Sequence, residues 1–264
     1  MSISLQKANF WKRISAYLLD CILTILIASG AALAVSSIVG YDACLSAYNT
    51  REQAYVQQAE EKYNVKLEMT QEEYNALSQE EKTQYDETKA LAWEEINKAL
   101  LADNECVALR SKISTLIILI VCVSTLIGVF CAYFLIPVFL KNGQTLGKKV
   151  FGLAVMRSNC VKISNSVLFI RSIVGLYAME TMFPLFICMM IVARILGIVG
   201  IVVLVLFFAL QIGVMIATQT NSSIHDLLSD CVVVDFASQQ IFETEEALIA
   251  YKQELHAQEV KMRD

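Results

Sequence analysis

The sequence predicts an all-α integral membrane four-helix bundle with an extracytoplasmic helical hairpin inserted between the first and second spans, and three observations carry that prediction. Of 264 residues, 56% are hydrophobic and only 18% charged, against roughly 45–50% and about 25% in a soluble domain. Four apolar stretches are each long enough to cross about 30 Å of hydrocarbon at roughly 1.5 Å rise per residue. Charge sorts by segment instead of mixing along the chain, as a membrane topology requires. With 10 Gly and 2 Pro there is little turn punctuation. The alternating segments of about ten residues that mark a membrane β-barrel are missing.

The first span covers about 14–39 and holds one charge, Asp20. The second, about 113–140, holds none. The third, about 167–193, encloses Arg171 and Glu180, with Pro184 as a kink candidate. The fourth, about 195–217, is again uncharged. Only Arg194 and the Gly197/Gly200 region separate the last two, so a tight helical hairpin is required there. A three-span alternative lays 166–183 in the interface, but it strands Arg194 inside one very long apolar helix.

Short basic segments set the expected orientation. Residues 1–13 carry Lys7, Lys12 and Arg13, and 141–165 carry Lys141, Lys148, Lys149, Arg157 and Lys162; neither segment has an acid. By the positive-inside rule both are cytoplasmic, and an even number of spans returns the C-terminus to the same side. The insert 42–112, with 8 basic and 15 acidic residues, then falls outside. The first span is too long for a cleavable signal peptide and no small-residue cleavage pattern follows it. The expected organisation is a membrane domain made of 1–41 and 113–235, the acidic insert 42–112, and an acidic cytoplasmic tail 236–264. In the tail, 242–263 reads as an amphipathic helix with Leu248, Tyr251 and Leu255 on one face.

The insert is rich in Ala, Glu, Gln and Lys and has no Gly or Pro, which favours helix. Tyr41, Tyr48 and Tyr55 recur at helical spacing, and Tyr85, Ala92, Ala99 and Cys106 do so on the return side. Thr70 with Glu73 and Ser78 with Glu81 are capping boxes that start helices. The alternative is a solvated connector of fluctuating helices. Cys44 and Cys106 sit where the two arms of such a hairpin face each other. A disulfide there is one reading, and chance placement of two small apolar residues is the other. No metal-ligand spacing such as C-x-x-C occurs.

Three clusters could carry chemistry. Arg13 and Asp20 are seven residues apart, on one helix face, and a carboxylate at that depth must be protonated, paired or facing water. The pair equally serves as a device that only fixes helix depth. Asn142 to Lys149 contains Gly143, Thr145, Gly147 and Lys148; the glycines permit a sharp turn or close approach, and the lysines suit anionic headgroups. The spacing is wrong for a phosphate-binding P-loop, and a plain interfacial loop is the simpler alternative. His225 and Asp226 follow the fourth span directly, close to where Arg13 emerges, so an Arg13–Asp226 contact is expected. A His-Asp pair without a placed nucleophile does not make a hydrolase.

Trp11 to Asp20, Gly143 to Lys149 and His225 to Leu228 resemble, in order, the opening, central and closing motifs of the RDD family of bacterial membrane proteins. By that resemblance Arg13, Asp20 and Asp226 are the residues that name the family, and Arg171 looks like the arginine opening a later helix. The resemblance covers 8–41 and 113–235, with Ser229-Asp230-Cys231 departing from the small residue, Gly and Thr expected there. It implies a multi-pass protein of the bacterial cell membrane and a transport role, since some members look like cation/proton antiporters.

Two functions compete. One is an ion- or proton-coupled carrier using Asp20, Arg171 and Glu180, and four spans are few enough that it would work as a homo-oligomer. The other is a membrane scaffold or sensor that binds protein partners through the hairpin and tail. An enzyme is not expected, because no nucleophile–base pair or metal cluster is visible. No cofactor and no nucleic acid are implied; the expected partners are the lipid bilayer and a small ion or solute.

Overall fold

The computed structural model describes residues 8–140 and 142–261. Lys7 and Lys141, two of the cations used for orientation, lie outside the described residues, as do the last three positions of the tail. In chain order the elements are α1 (Phe10–Val39), α2 (Tyr41–Tyr63), α3 (Gln71–Ala76), α4 (Gln79–Ala102) and α5 (Asn104–Leu140). Then follow α6 (Leu146–Val150), β1 (Leu153–Arg157), α7 (Asn165–Val192), α8 (Gly197–Ala217), α9 (Ile224–Leu228), β2 (Cys231–Asp235) and α10 (Glu245–Lys261). Among the described residues four helices, α1, α5, α7 and α8, are long and apolar enough to cross a membrane. α1 and α5 start earlier than their apolar runs because the helix continues into polar flanks. The reversal between α7 and α8 takes only residues 193–196, turning at Arg194 (φ 58°) and Gly197 (φ 51°).

The chain forms two compact units, Ala32–Val121 and Met1–Ala31 with Cys122–Asp264. In the first, α1 gives way to α2 at Gly40 in the left-handed region (φ 70°). α2 and α4 pack antiparallel: Lys62 and Tyr63 meet Glu95 at one end, and Arg51 and Tyr55 meet Asp103 at the other. Ala59, Ala92, Ile96 and Leu100 are buried between them, close to the face the helical spacing predicts. Both capping boxes are present, at Thr70/Glu73 and Ser78/Glu81. The Cys44–Cys106 disulfide is not formed. Both thiols are free and buried, and Cys106 Sγ is turned to the carboxylate at the α4–α5 junction, donating to Asp103 Oδ2 at 3.3 Å.

The second unit corrects the all-α reading. β1 and β2 pair antiparallel, with Leu153 opposite Asp235 and Arg157 opposite Cys231. Side chains alternate between faces. Leu153, Val155, Cys231 and Val233 pack with Ala8, Ala16 and Leu168 from the helical side. Ala154, Met156, Val232 and Val234 pack with Val161, Phe242 and Leu248. The tail is therefore not a free acidic arm: α10 covers the second face of the ladder, with Leu248 buried and Tyr251 against Phe242. Lys162 pairs with Glu243 at 2.7 Å beside it.

Two of the long helices contain π stretches, Phe130–Leu135 in α5 and Ile170–Met182 in α7. They meet where Ser172 Oγ donates to the Tyr133 carbonyl at 2.7 Å. Pro184, the kink candidate, lies in the first turn of the α-helical part that follows the second π stretch.

The cover over the sheet is testable. Leu248→Ala removes a buried side chain and is expected to cost about 2–5 kcal/mol. Amide exchange along β1 and β2 should speed up accordingly; unchanged protection there would mean that α10 does not hold the sheet.

Candidate functional site: a buried ion-pair network

Most of the residues the sequence singles out converge in the second unit, in two adjoining clusters. The first is built on Asp20, which is 1% exposed. Its Oδ2 accepts from Thr145 Oγ1 at 2.5 Å and its Oδ1 from the Gly147 N–H at 2.7 Å. Lys148 Nζ is 3.7 Å away. Thr145 is also the N-cap of α6, accepting from the Lys148 N–H. Gly143 turns the loop at φ 60° and Gln144 Nε2 donates to the Leu153 carbonyl at 2.7 Å. Gly147 is required by space: a Cβ there would lie 2.2 Å from the Ala16 carbonyl oxygen and 2.9 Å from the Asp20 carboxylate. The Asn142–Lys149 segment is thus a loop gripped by the first span, and Asp20 grips it.

The second cluster is built on Asp226, also 1% exposed. Arg171 donates from Nε at 2.8 Å and from Nη2 at 2.6 Å to Asp226 Oδ1. Ser223 Oγ donates to Oδ2 at 2.9 Å, and Arg13 Nη2 is 3.5 Å from the same oxygen. Arg13 also donates to the Thr220 carbonyl at 2.9 Å. Arg13 therefore pairs with Asp226 and not with Asp20, as the contact expected from the end of the fourth span requires. Burial pushes the Asp226 carboxyl up, but the guanidinium groups of Arg171 and Arg13 outweigh it and hold it well below the usual carboxylate range.

His225 is clamped between two residues of α7. Glu180 accepts from the His225 backbone N–H and contacts Nδ1, each at 2.8 Å. Arg171 Nη2 lies 3.0 Å from Nε2. A guanidinium can only donate, so Nε2 accepts and Nδ1 carries the proton shared with Glu180. Ser223 Oγ is 3.2 Å from both ring nitrogens. At that distance from both nitrogens it lies over the ring face, without the in-line bond to a free nitrogen that activates a nucleophile.

The π stretch explains how Arg171 and Glu180 both reach His225. Nine residues are two and a half α-helical turns, which would place them on opposite sides. The wider i→i+5 turn brings nine residues close to two full turns, and both side chains to one side. Gly175 lies between them, and a Cβ there would sit 2.6 Å from His225 Cβ, so α9 rests directly on the helix backbone. Sequence reasoning missed Gly175 and Tyr133 as site-forming residues. It also missed Gln211, although it is the single polar side chain within Gly197–Ala217 and that signal was available.

A cavity of about 380 Å³ adjoins the network, lined among others by Arg13, Lys148, Arg171, Glu180, His225 and Asp226. Its size is that of a small-molecule site. Among the described residues no group of His, Cys, Asp and Glu has the arrangement of a metal site.

Four apolar helices around buried, paired charges define a multi-pass membrane protein. A family model matches residues 7–230, described as the RDD family, and the chain belongs to that family. The match stops at Asp230, just before β2. Comparison with curated proteins and with solved structures returns no match.

Two measurements check the site. Thr145→Val deletes a hydrogen bond to a charged group and should cost about 1.5–3 kcal/mol in thermal unfolding; an unchanged melting temperature would mean that Asp20 is held by other groups. The second concerns Lys148, whose ammonium burial pushes down to about 8, with Arg171 adding to the effect. Above that value and below the ordinary lysine range the unfolded chain binds more protons at this position, so stability should rise with pH. Lys148→Met should remove that slope.

Proposed function

We propose that the protein is a proton-coupled carrier of the bacterial cell membrane, with the Glu180–His225–Arg171–Asp226 chain as its coupling centre. The observation that carries this reading is the Nδ1 contact between His225 and Glu180 at 2.8 Å on the wall of the cavity. Ionisable groups at such a place are the usual parts of a proton path.

The wiring suggests how protons and conformation are linked. Arg171 occupies His225 Nε2, so a second proton on the ring requires the guanidinium to move off it. Arg171 is at the same time the main partner of Asp226. A proton on Nε2 would face Asp226 Oδ1 at 3.5 Å, the oxygen that Arg171 holds, so ring and guanidinium would compete for one carboxylate oxygen and give an element with two arrangements. Asp20 takes a structural part in this reading, because both of its oxygens are engaged by the Thr145–Gly147 turn.

In the proposed topology both termini and the β1–β2 ladder are cytoplasmic and the α2–α4 hairpin is extracytoplasmic, following the basic segments. Four spans are few for alternating access, so the working unit is proposed to be a homo-oligomer. The scaffold alternative is weaker on one count: the apolar face of α10 is spent on the chain's own sheet.

In proteoliposomes with an internal pH dye, Glu180→Gln should abolish solute-driven proton movement while Asp20→Asn alters mainly the melting temperature. Proton movement that survives Glu180→Gln would remove the coupling centre proposed here. For topology, Glu87→Cys in a cysteine-free chain should react with an impermeant maleimide on intact cells; protection until lysis would invert the orientation.

A further inference from the structure

The hydrogen-bonding capacity left over around the cavity is one-sided. Every carboxylate oxygen of Asp20, Glu180 and Asp226 already accepts at least one hydrogen bond of 2.9 Å or less. The charged groups with the most unused capacity are donors. Lys148 Nζ has three N–H bonds, and its nearest acceptors are Thr145 Oγ1 at 3.4 Å and Asp20 Oδ2 at 3.7 Å, with the Tyr133 ring 5.6 Å away. Arg13 has one bond at 2.9 Å and a longer contact at 3.5 Å for five donors. Of the charged residues lining the cavity, Arg13, Lys148 and Arg171 outnumber Glu180 and Asp226, because Asp20 is turned to the loop. A ligand held here must bring acceptors and negative charge.

The rest of the lining is apolar and reaches the lipid-facing surface. Phe10, Ile14 and Tyr17 of α1 stand on one side, and Phe208, Ile212 and Met215 of α8 on the other. Tyr17, Phe208 and Ile212 line the cavity and are also half exposed, so the space opens sideways between the two helices. Gln211 projects into the same opening and has no hydrogen-bond partner among the described residues. A donor-rich inner end and an apolar slot open to the hydrocarbon fit one kind of molecule.

We propose that the cavity binds a single-chain anionic amphiphile, with its carboxylate or phosphate head on Lys148 and Arg13 and its alkyl chain in the slot between α1 and α8. This names the cargo class of the carrier read above and rests on that reading for its role, whereas binding itself is measured without transport. Head recognition is by charge-assisted hydrogen bonds, and the chain gains by leaving its contacts with detergent or lipid for a shaped apolar wall.

The test uses the full chain in phosphatidylcholine nanodiscs and labelled dodecyl phosphate. Saturable binding at one site per chain is expected. Lys148→Gln should weaken it about tenfold, the loss of one hydrogen bond to a charged group. Ile212→Trp, on the lipid-facing wall, should block it by filling the slot, and it keeps the proposal falsifiable if Lys148→Gln does not fold. Inorganic phosphate should not displace the probe and dodecyltrimethylammonium should not compete. Displacement by inorganic phosphate would make this a free-anion site, and equal competition by the cationic amphiphile would reduce it to partitioning; either result, or binding indifferent to both variants, overturns the proposal. Binding without proton movement would leave the ligand assignment standing and remove the carrier; proton movement without binding would do the reverse.

Discussion

The Arg171–Asp226 pair is the constraint on which the second unit depends. Both side chains are almost fully buried, at 2% and 1% exposure. Taking two such charges out of water costs several kcal/mol per ion, and only close geometry with further hydrogen bonds offsets it. Arg171 Nε and Nη2 both donating to Oδ1, the Ser223 hydroxyl on Oδ2 and the approach of Arg13 supply that geometry. Their demands reach outward. α9 must lie against α7 closely enough for Asp226 to meet Arg171, which is why Gly175 faces His225 without a side chain. α7 must widen into a π turn for Glu180 to meet the same histidine from the other end.

The ladder of β1 and β2 makes these positions compatible. β1 follows α6 and β2 follows α9, each after a short turn, so pairing the strands fixes the two motif segments side by side. Asp20 does for α6 what Arg171 does for α9: it holds the segment to a long helix through a buried carboxylate, with Gly147 allowing contact at the Ala16 carbonyl. Three separated motifs thereby become one charged centre. A loop positioned by a rigid scaffold is a common way to place reactive groups, and here the scaffold is itself held by the groups it places.

Much of this was legible in the sequence. Four apolar runs gave the long helices, and Arg194 with Gly197 marked the reversal between the last two. Thr70/Glu73 and Ser78/Glu81 were read correctly because a capping box is local chemistry. Arg13, Asp20 and Asp226 stood out as charges beside apolar helices. The strands did not, for a physical reason. Both faces of the ladder are covered, so Leu153–Arg157 and Cys231–Asp235 read as short continuous apolar runs, and a buried strand of that length cannot be told from a helix end by periodicity. The grouping of Arg171 with Glu180 was hidden because a 3.6-residue period puts them on opposite sides; only the π turn unites them. The partner of Asp20 was also out of reach. A backbone N–H at Gly147 leaves no mark in composition, and the spacing pointed to Arg13 on the same helix instead.

The central claim is that the Arg171–Asp226 pair is a coupled unit and that each charge is tolerated because of the other. A double-mutant cycle in detergent, with Arg171→Met, Asp226→Leu and the two combined, measures that coupling directly. Each single change should cost about 3–5 kcal/mol by leaving an unpaired buried charge. The double variant should lose about 1–3 kcal/mol less than the sum of the two single losses, which is the coupling energy of the pair. Additive losses in the double variant would contradict the account, because the two residues would then stabilise the protein independently.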